Sequence, residues 1–490
     1  MRMPKNLRSF LSLQVSSWVF FFLFIALGCI YLLNIRPGHD WGDDFAAYIH
    51  HAKNIATGHS YGDIKFIPNP FHRVELRSFP PVFPFFLSIV YWFFGMNLFV
   101  MKIMVILFWQ ATLGMAFLLF RKRFSGVALF SLMLVIGIYP FLFVFLNNIL
   151  SETTFLFFVF LSLYLAEYFY KNKLAQRGNQ GFFVVLGAVI YLAYGTRAIG
   201  AVLIPALVVY DFVKHGRFHK ETFLSVLTFC FFAIVQSTFG LGASDYLLTF
   251  GFHWATVLGN VMHYVRIFYF LNTPGFGQYL FLAKVFLGIM GFYIAIRRNL
   301  SPLEFFVFFY ICVILMRSVA ITSFDTIRFL VPLMPFYFYY VFLGAKETAS
   351  LINKKFSNVI FGIFLAVIIG ANVTSAMAWS RQNNFNAIGV SKKESIELFE
   401  YLKKNTNPQD AFIFIKPRTL TLFTDRPASL YYPHKDMQVF SDYLLRAKIR
   451  YIVIDKRGDS YLKEFVKVYN KQVSRIYENA DFQVLKLLVL

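Results

Sequence analysis

Asp40-Trp41-Gly42-Asp43-Asp44-Phe45-Ala46-Ala47-Tyr48-Ile49-His50-His51-Ala52-Lys53-Asn54-Ile55-Ala56-Thr57-Gly58 packs three carboxylates and a short amphipathic helix just past the first apolar segment. Ionisable groups beside hydrocarbon must be paired, hydrated or reactive, so such clustering implies a working surface at the membrane. From Asp44 onward, Tyr48, His51 and Ile55 share one helical face. Asp43 suits the N-cap of that helix, and a second acid in succession leaves Asp44 available for chemistry.

The composition places this stretch in a membrane protein. Of 490 residues, 58% are hydrophobic and 15% charged, whereas a soluble domain is about 45–50% apolar. The net charge of +22 does not indicate nucleic-acid binding, because the basic residues sit in short clusters between apolar runs, a topological pattern. Cys29, Cys230 and Cys312 all lie in apolar stretches and form neither a disulfide framework nor a thiolate metal site. Arg2, Lys5 and Arg8 precede an apolar run with no small-residue cleavage site after it. This predicts an uncleaved first span with a cytoplasmic N-terminus.

Eleven apolar runs are long enough for spans, near residues 15–35, 98–120, 124–146, 153–170, 181–196, 198–213, 222–240, 279–296, 302–322, 329–345 and 357–378. The run Pro80 to Gly95 is ambiguous, being 16 residues long with Pro80, Pro81 and Pro84 at its start. Loop charge resolves it. If this run does not span, Arg121-Lys122-Arg123, Lys171/Lys173/Arg177, Lys214/Arg217/Lys220, Arg297-Arg298 and Lys346/Lys354/Lys355 all become cytoplasmic. Setting aside the first loop, fourteen loop cations then face inward and only Arg197, Arg266 and Arg328 face outward. Pro80 to Gly95 is therefore predicted as a juxtamembrane helix on the outer interface.

This topology collects Asp43, Asp44, the tip Asn147 to Glu152, the corner Gly195-Thr196-Arg197, the loop Leu241 to Gln278 and the turn Asp325 to Arg328 on one outer face. It also sends residues 379–490 outside as a separate α/β domain, apart from a membrane module of residues 1–378 with its first outer loop at 36–97. In that tail the pattern predicts helices over 392–404, 436–447 and 460–470, strands over 411–416 and 451–455, and a final strand or hairpin through 473–488. No internal repeat is evident.

The chemistry suggested by the outer face is acid–base work beside a phosphate. Asp44, or Asp43, is the candidate general base for an acceptor hydroxyl. Glu152, at a helix start that favours a carboxylate, orients the acceptor or shares a divalent ion, Mg or Mn, with Asp44. Arg197, Arg328 and Arg77, with Lys102 and Arg317 about a turn deeper, suit a phosphate clamp as well as interface anchoring. His39, His50, His51, His59 and His72 crowd the first loop. Adjacent His50 and His51 point to different faces, so these histidines read as water-facing rather than as metal ligands.

The acidic first loop, the proline-opened segment, Ser151-Glu152, Gly195-Thr196-Arg197-Ala198-Ile199-Gly200 with Pro205, and Arg328-Phe329-Leu330-Val331-Pro332-Leu333-Met334-Pro335 together resemble the GT-C superfamily. The nearest branches are the protein O-mannosyltransferase-like and aminoarabinose transferase-like enzymes of bacterial envelopes. The resemblance implies a polytopic α-helical glycosyltransferase of the inner membrane. Such an enzyme inverts C1 as it moves a sugar from a polyprenyl-phosphate carrier to a glycan, lipid or protein acceptor outside. Carried over, Asp44 matches the first-loop acid, Glu152 the second-loop acid, and Arg197 and Arg328 the recurrent basic positions. The family's Asp-Glu reads Asp43-Asp44 here, which leaves the leading acid open. A ligase or polymerase of lipid-linked glycans shares this topology, while a flippase or transporter fits less well, since carriers gather charge at the midplane of repeated halves.

Overall fold

The computed structural model describes residues 16–71, 78–124, 126–171, 180–242, 253–272, 277–317, 323–382 and 387–488. Arg2, Lys5, Arg8, His72, Arg77, Lys173 and Arg177 lie outside them. The chain is a multi-pass helical membrane protein with a small mixed sheet near its C-terminus.

Within the described residues, each of the eleven apolar runs contains helix. Among the described residues, seven segments are long and apolar enough to cross a membrane: Leu98–Phe120 (α4), Glu152–Tyr170 in α7 (Glu152–Lys171), Ala198–His215, Lys220–Thr238 (α10), Gly277–Arg298 in α12 (Gly277–Asn299), Thr326–Ile352, and Ser357–Ala378 in α16 (Ser357–Gln382). Ala198–His215 joins a 3-10 turn to α9 (Leu203–His215), and Thr326–Ile352 joins α14 (Ser323–Leu330) through a 3-10 turn to α15 (Met334–Ile352). The run 124–146 is an eighth, broken candidate, α5 (Gly126–Gly137) and α6 (Pro140–Leu146), bent by 52°. Pro140 explains the break, since it has no N–H for the preceding turn. The other three runs form the shorter apolar helices α1 (Ser17–Leu33), α8 (Gly181–Thr196) and α13 (Pro302–Leu315).

Two connections carry more helix than expected. Trp254–Asn272 (α11) is helical within the stretch read as a loop, and Trp254, Leu258, Met262, Val265 and Tyr269 form its exposed stripe, a helical period overlooked among polar neighbours. Residues 325–328, read as a turn, belong to α14.

The proline-opened segment forms α3 (Val82–Phe94), packed most extensively on α2 (Asp43–Thr57) of the first loop. Its Phe83 and Leu87 are buried, while Phe85, Ile89, Trp92 and Phe93 are exposed. α12 and α15 approach at glycines: a Cβ on Gly291 would stand 1.9 Å from the Tyr340 carbonyl, and one on Gly344 would stand 2.0 Å from that of Leu287. Small residues permit such backbone contact inside a membrane.

The tail matches its predicted order, α17 (Lys393–Asn405), β4 (Ala411–Ile413), α19 (Met437–Arg446), β6 (Ile449–Asp455), α20 (Ser460–Val468), β7 (Val473–Glu478) and β8 (Phe482–Leu487). It adds a helix, α18 (Pro417–Thr424), and a short strand, β5 (Ala428–Ser429). The sheet also recruits β2 (Phe66–Ile67) from the first loop, in the order β2-β5-β4-β6-β8-β7, parallel up to β6 and antiparallel beyond. A second pairing joins β1 (Gly38–His39) to β3 (Ile388–Gly389). Trp41 of the first loop inserts among Phe399, Phe414 and Phe482 with ring centroids 5.4–5.5 Å apart. First loop and tail thus share one core.

Candidate active site

Two helix N-termini meet at the site. α2 opens with Asp43 and Asp44, and α7 opens with Glu152; both ends present unpaired N–H groups and a positive dipole that favour carboxylates. Arg197 follows α8 in extended conformation, at the break before the 3-10 turn. Arg328 ends α14, where Pro332 and Pro335 start the next helical segments.

These residues form one chain of charge. Arg197 Nη1 donates to Glu152 Oε1 at 2.6 Å, and Arg328 Nε donates to the same oxygen at 2.5 Å. Arg328 Nη1 donates to Asp44 Oδ2. The Glu152 side chain is 2% exposed, with Oε2 buried and without a partner among the described residues. The Asp44 side chain is 29% exposed, making it the acid of this chain most open to an incoming group. Tyr48, one turn along α2, hydrogen-bonds Ser151 Oγ at 3.1 Å and so locks the two acid-bearing helix ends together.

Asp43 and Asp44 part ways. Asp43 Oδ1 accepts from Thr419 N at 3.2 Å and from its hydroxyl at 3.4 Å, and Arg418 Nη1 lies 3.9 Å from Oδ2. Burial lifts its carboxyl above the ordinary aspartate range, against the pull of Arg418 and Lys416. For Asp44, burial acts the same way but is outweighed by Arg328, with Arg418 and Arg197 behind it, so its carboxyl is held below that range.

Arg418 and Thr419 were not singled out in the sequence. They sit on α18, opened by Pro417, and a proline followed by Arg-Thr-Leu-Thr-Leu was the available signal for that helix start. The Arg418 guanidinium is stacked 4.6 Å from the Phe66 ring and 5.6 Å from that of Phe79. The Arg317 guanidinium lies 4.7 Å from the Phe329 ring centroid and that of Arg197 5.5 Å.

Lys102 does not join the cluster. Its fully buried ammonium donates to the carbonyls of Arg36 at 2.8 Å and Gly38 at 2.5 Å, pinning the start of the first loop. Asn147 helps from the opposite tip, accepting from Arg36 N at 2.8 Å and donating to the Asn34 carbonyl at 3.0 Å.

The first-loop histidines correct their water-facing reading, because His39, His50 and His51 are buried. His39 stacks on Phe45 at 3.7 Å and its Nε2 accepts from Ile149 N at 2.9 Å, which leaves Nδ1 protonated toward Asp40 at 2.8 Å. His51 accepts from Phe79 N at 3.3 Å and donates to the Tyr61 carbonyl at 2.7 Å. His50 reaches Thr421 Oγ1 on α18 at 3.1 Å. His59 is exposed. The chemistry that hides these rings is specific hydrogen bonding to backbone and side-chain partners, which hydropathy does not report.

A divalent ion shared by Asp44 and Glu152 does not fit this arrangement, since the Arg328 guanidinium already bridges the two carboxylates. A second cation there would meet a fixed positive charge.

Over 96% of this chain and 98% of its own, ArnT from Cupriavidus metallidurans bound to undecaprenyl phosphate superposes with a TM-score of 0.59 at 13% identity. The chain has the GT-C fold. The apo oligosaccharyltransferase of Archaeoglobus fulgidus matches 93% of the chain and 72% of its own with a TM-score of 0.60 at 13% identity. The same organism's AglB, in complex with an inhibitory peptide and a dolichol-phosphate, gives 0.59 at 14% identity over 94% and 73%. No protein-family model matches the sequence, and no curated protein matches it. At these identities the GT-C architecture is common ground while the side chains of the site are this chain's own.

Proposed function

We propose that this protein is an inverting glycosyltransferase that moves a sugar from a polyprenyl-phosphate carrier to a glycan, lipid or protein acceptor on the outer face of a bacterial inner membrane. The observation that carries this reading is the bridge Arg197–Glu152–Arg328–Asp44, two acids and two guanidinium groups held together. The fold shared with structures holding undecaprenyl phosphate and dolichol-phosphate supports it.

In this reading Asp44 is the general base. It is the more open carboxylate of the pair, while Asp43 is committed to Thr419. Pairing with Arg328 keeps Asp44 ionised. When the donor phosphate arrives, Arg328 and Arg197 turn part of their forks toward its oxygens, guanidinium geometry being suited to that exchange. Asp44 then gains basicity as its counter-charge is shared. It takes the proton of the acceptor hydroxyl as that oxygen attacks C1 from the face opposite the phosphate. The phosphate leaves bearing the charge of the broken bond, and its stabilisation by Arg197 and Arg328 near a low-dielectric boundary is the largest contribution. Glu152 holds both arginines in place, and Arg77 is a further candidate for the phosphate.

Reconstitution with a radiolabelled polyprenyl-monophosphate sugar tests the proposal. Label should pass covalently to the acceptor, and Asp44→Asn should lower the rate by about 10³-fold or more with the protein still monodisperse, the scale expected of a lost general base. Translocation of intact lipid without transfer would point to a flippase, and transfer only from a diphosphate carrier to a ligase or polymerase; either outcome defeats it.

A further inference from the structure

The opposite end of the bundle carries a second polar constellation. The segment Ala198–His215 runs away from Arg197 for 18 residues, about 27 Å of helix, and ends on Asp211 and His215, one turn apart on α9 and therefore on one face. Gly216, with φ of +68°, turns the chain in a conformation that costs glycine little. His219 then precedes α10.

Three donor atoms converge there. Asp211 Oδ1 lies 3.0 Å from His215 Nδ1 and 2.6 Å from His219 Nδ1, and one ligand atom from each residue falls within 4.8 Å of the others. His215 Nδ1 is also 3.2 Å from the Asp211 carbonyl. The carboxylate is oriented from behind: Oδ2 accepts from Thr222 Oγ1 at 2.7 Å and from His219 N at 2.8 Å. Thr222 in turn meets the Tyr170 hydroxyl of α7 at 2.5 Å. Asp211 is fully buried, whereas the His215 and His219 side chains are 31% and 20% exposed, so the site is rigid on its protein side and open to water on the other.

We propose that Asp211, His215 and His219 bind one divalent transition-metal ion of the zinc, cobalt or nickel class, with water completing the coordination. Two imidazole nitrogens and a single carboxylate match that class, whereas magnesium and calcium take all-oxygen shells. In the free protein the shared Oδ1 accepts from the imidazoles. On binding, each ring presents its Nδ1 lone pair and carries its proton on Nε2, so no net proton is lost. Metal–ligand bonds of about 2.0–2.1 Å place neighbouring tetrahedral ligands about 3.3 Å apart, a small spreading from the distances seen. The Thr222 and His219 backbone bonds to Oδ2 survive it and supply the outer-sphere support that metal carboxylates need. The bound ion would tie α9, α10 and, through Tyr170, α7 at the end of the bundle remote from Asp44.

The test uses full-length, tag-free protein in detergent, stripped with chelator. Cobalt(II) titration followed by visible absorption, and equilibrium dialysis with zinc(II), should each show one ion per chain. His215→Ala/His219→Ala should weaken binding at least 100-fold, and Thr222→Val about 10-fold, while His59→Ala, an exposed histidine elsewhere, should bind like the unaltered protein. Thermal unfolding of the stripped variants establishes that they are folded, and an Asp211→Asn protein that keeps the histidines should lose affinity as well. Stoichiometric uptake that is absent from the unaltered protein, or equal in the double variant, would overturn the proposal.

Discussion

Arg328 is the side chain on which the candidate site turns, since it hydrogen-bonds both Asp44 and Glu152. Arg328→Lys keeps the charge but cannot bond two carboxylates through a planar fork, so kcat for sugar transfer should fall about 100-fold or more in the reconstituted assay. Glu152→Gln leaves two buried guanidinium groups without their shared counter-charge, a loss of about 3–5 kcal/mol for a buried pair. Its thermal midpoint in detergent should drop by several degrees as well as its rate; unchanged stability would show that the bridge is not formed. The buried first-loop histidines give a separate, pH-linked prediction. Burial, with Lys53 nearby, lowers His50 to about 3, and burial lowers His51 to about 4 despite its hydrogen bond to the Tyr61 carbonyl, both from 6.5. As pH falls below 6.5 the unfolded chain takes up these protons first, so the stability present above that value is lost progressively toward pH 4. The thermal midpoint should therefore decline between pH 6.5 and 4, and the decline should be shallower in His51→Gln.

At the scale of elements, the telling contact is α18 of the tail against α2 of the first loop. His50 meets Thr421, Asp43 meets Thr419, and Arg418 stacks on Phe66 and Phe79. Thr419→Val removes the hydroxyl that Asp43 and the Gly42 carbonyl engage while keeping shape. It should reduce transfer about tenfold with a folded tail, measured by far-UV circular dichroism and the same label-transfer assay. The β1–β3 crossing is tighter still. Gly389 has φ of +53°, and a Cβ there would stand 2.1 Å from the His39 carbonyl, so Gly389→Ala should separate first loop from tail and cut activity more deeply than Thr419→Val. The helices of the tail were visible as amphipathic periods in sequence. α18 and β5 were not, because an eight-residue helix and a two-residue strand carry too few turns for a period to register.

For the whole molecule, charge segregation and the fold together predict one orientation. A cysteine introduced at Asn405 of the tail should react with an impermeant maleimide on intact cells, and one at Lys354 only after permeabilisation; the reverse pattern would invert the bundle and overturn the proposed outer-face reaction. Sequence alone determined that the chain is a helical membrane bundle with a small α/β tail. Hydropathy and helical period are local sums over neighbouring residues, and every apolar run it marked contains helix within the described residues. Tertiary structure decided which charges meet. Asp44 finds Arg328 across 284 residues and Asp43 finds Thr419 across 376, and the same long-range packing buried His39, His50 and His51, occupied Lys102 with carbonyls and brought the tail's Arg418 beside the acids. Such pairings depend on where distant backbones converge and on which polar groups find partners out of water, and no window along the chain contains that information.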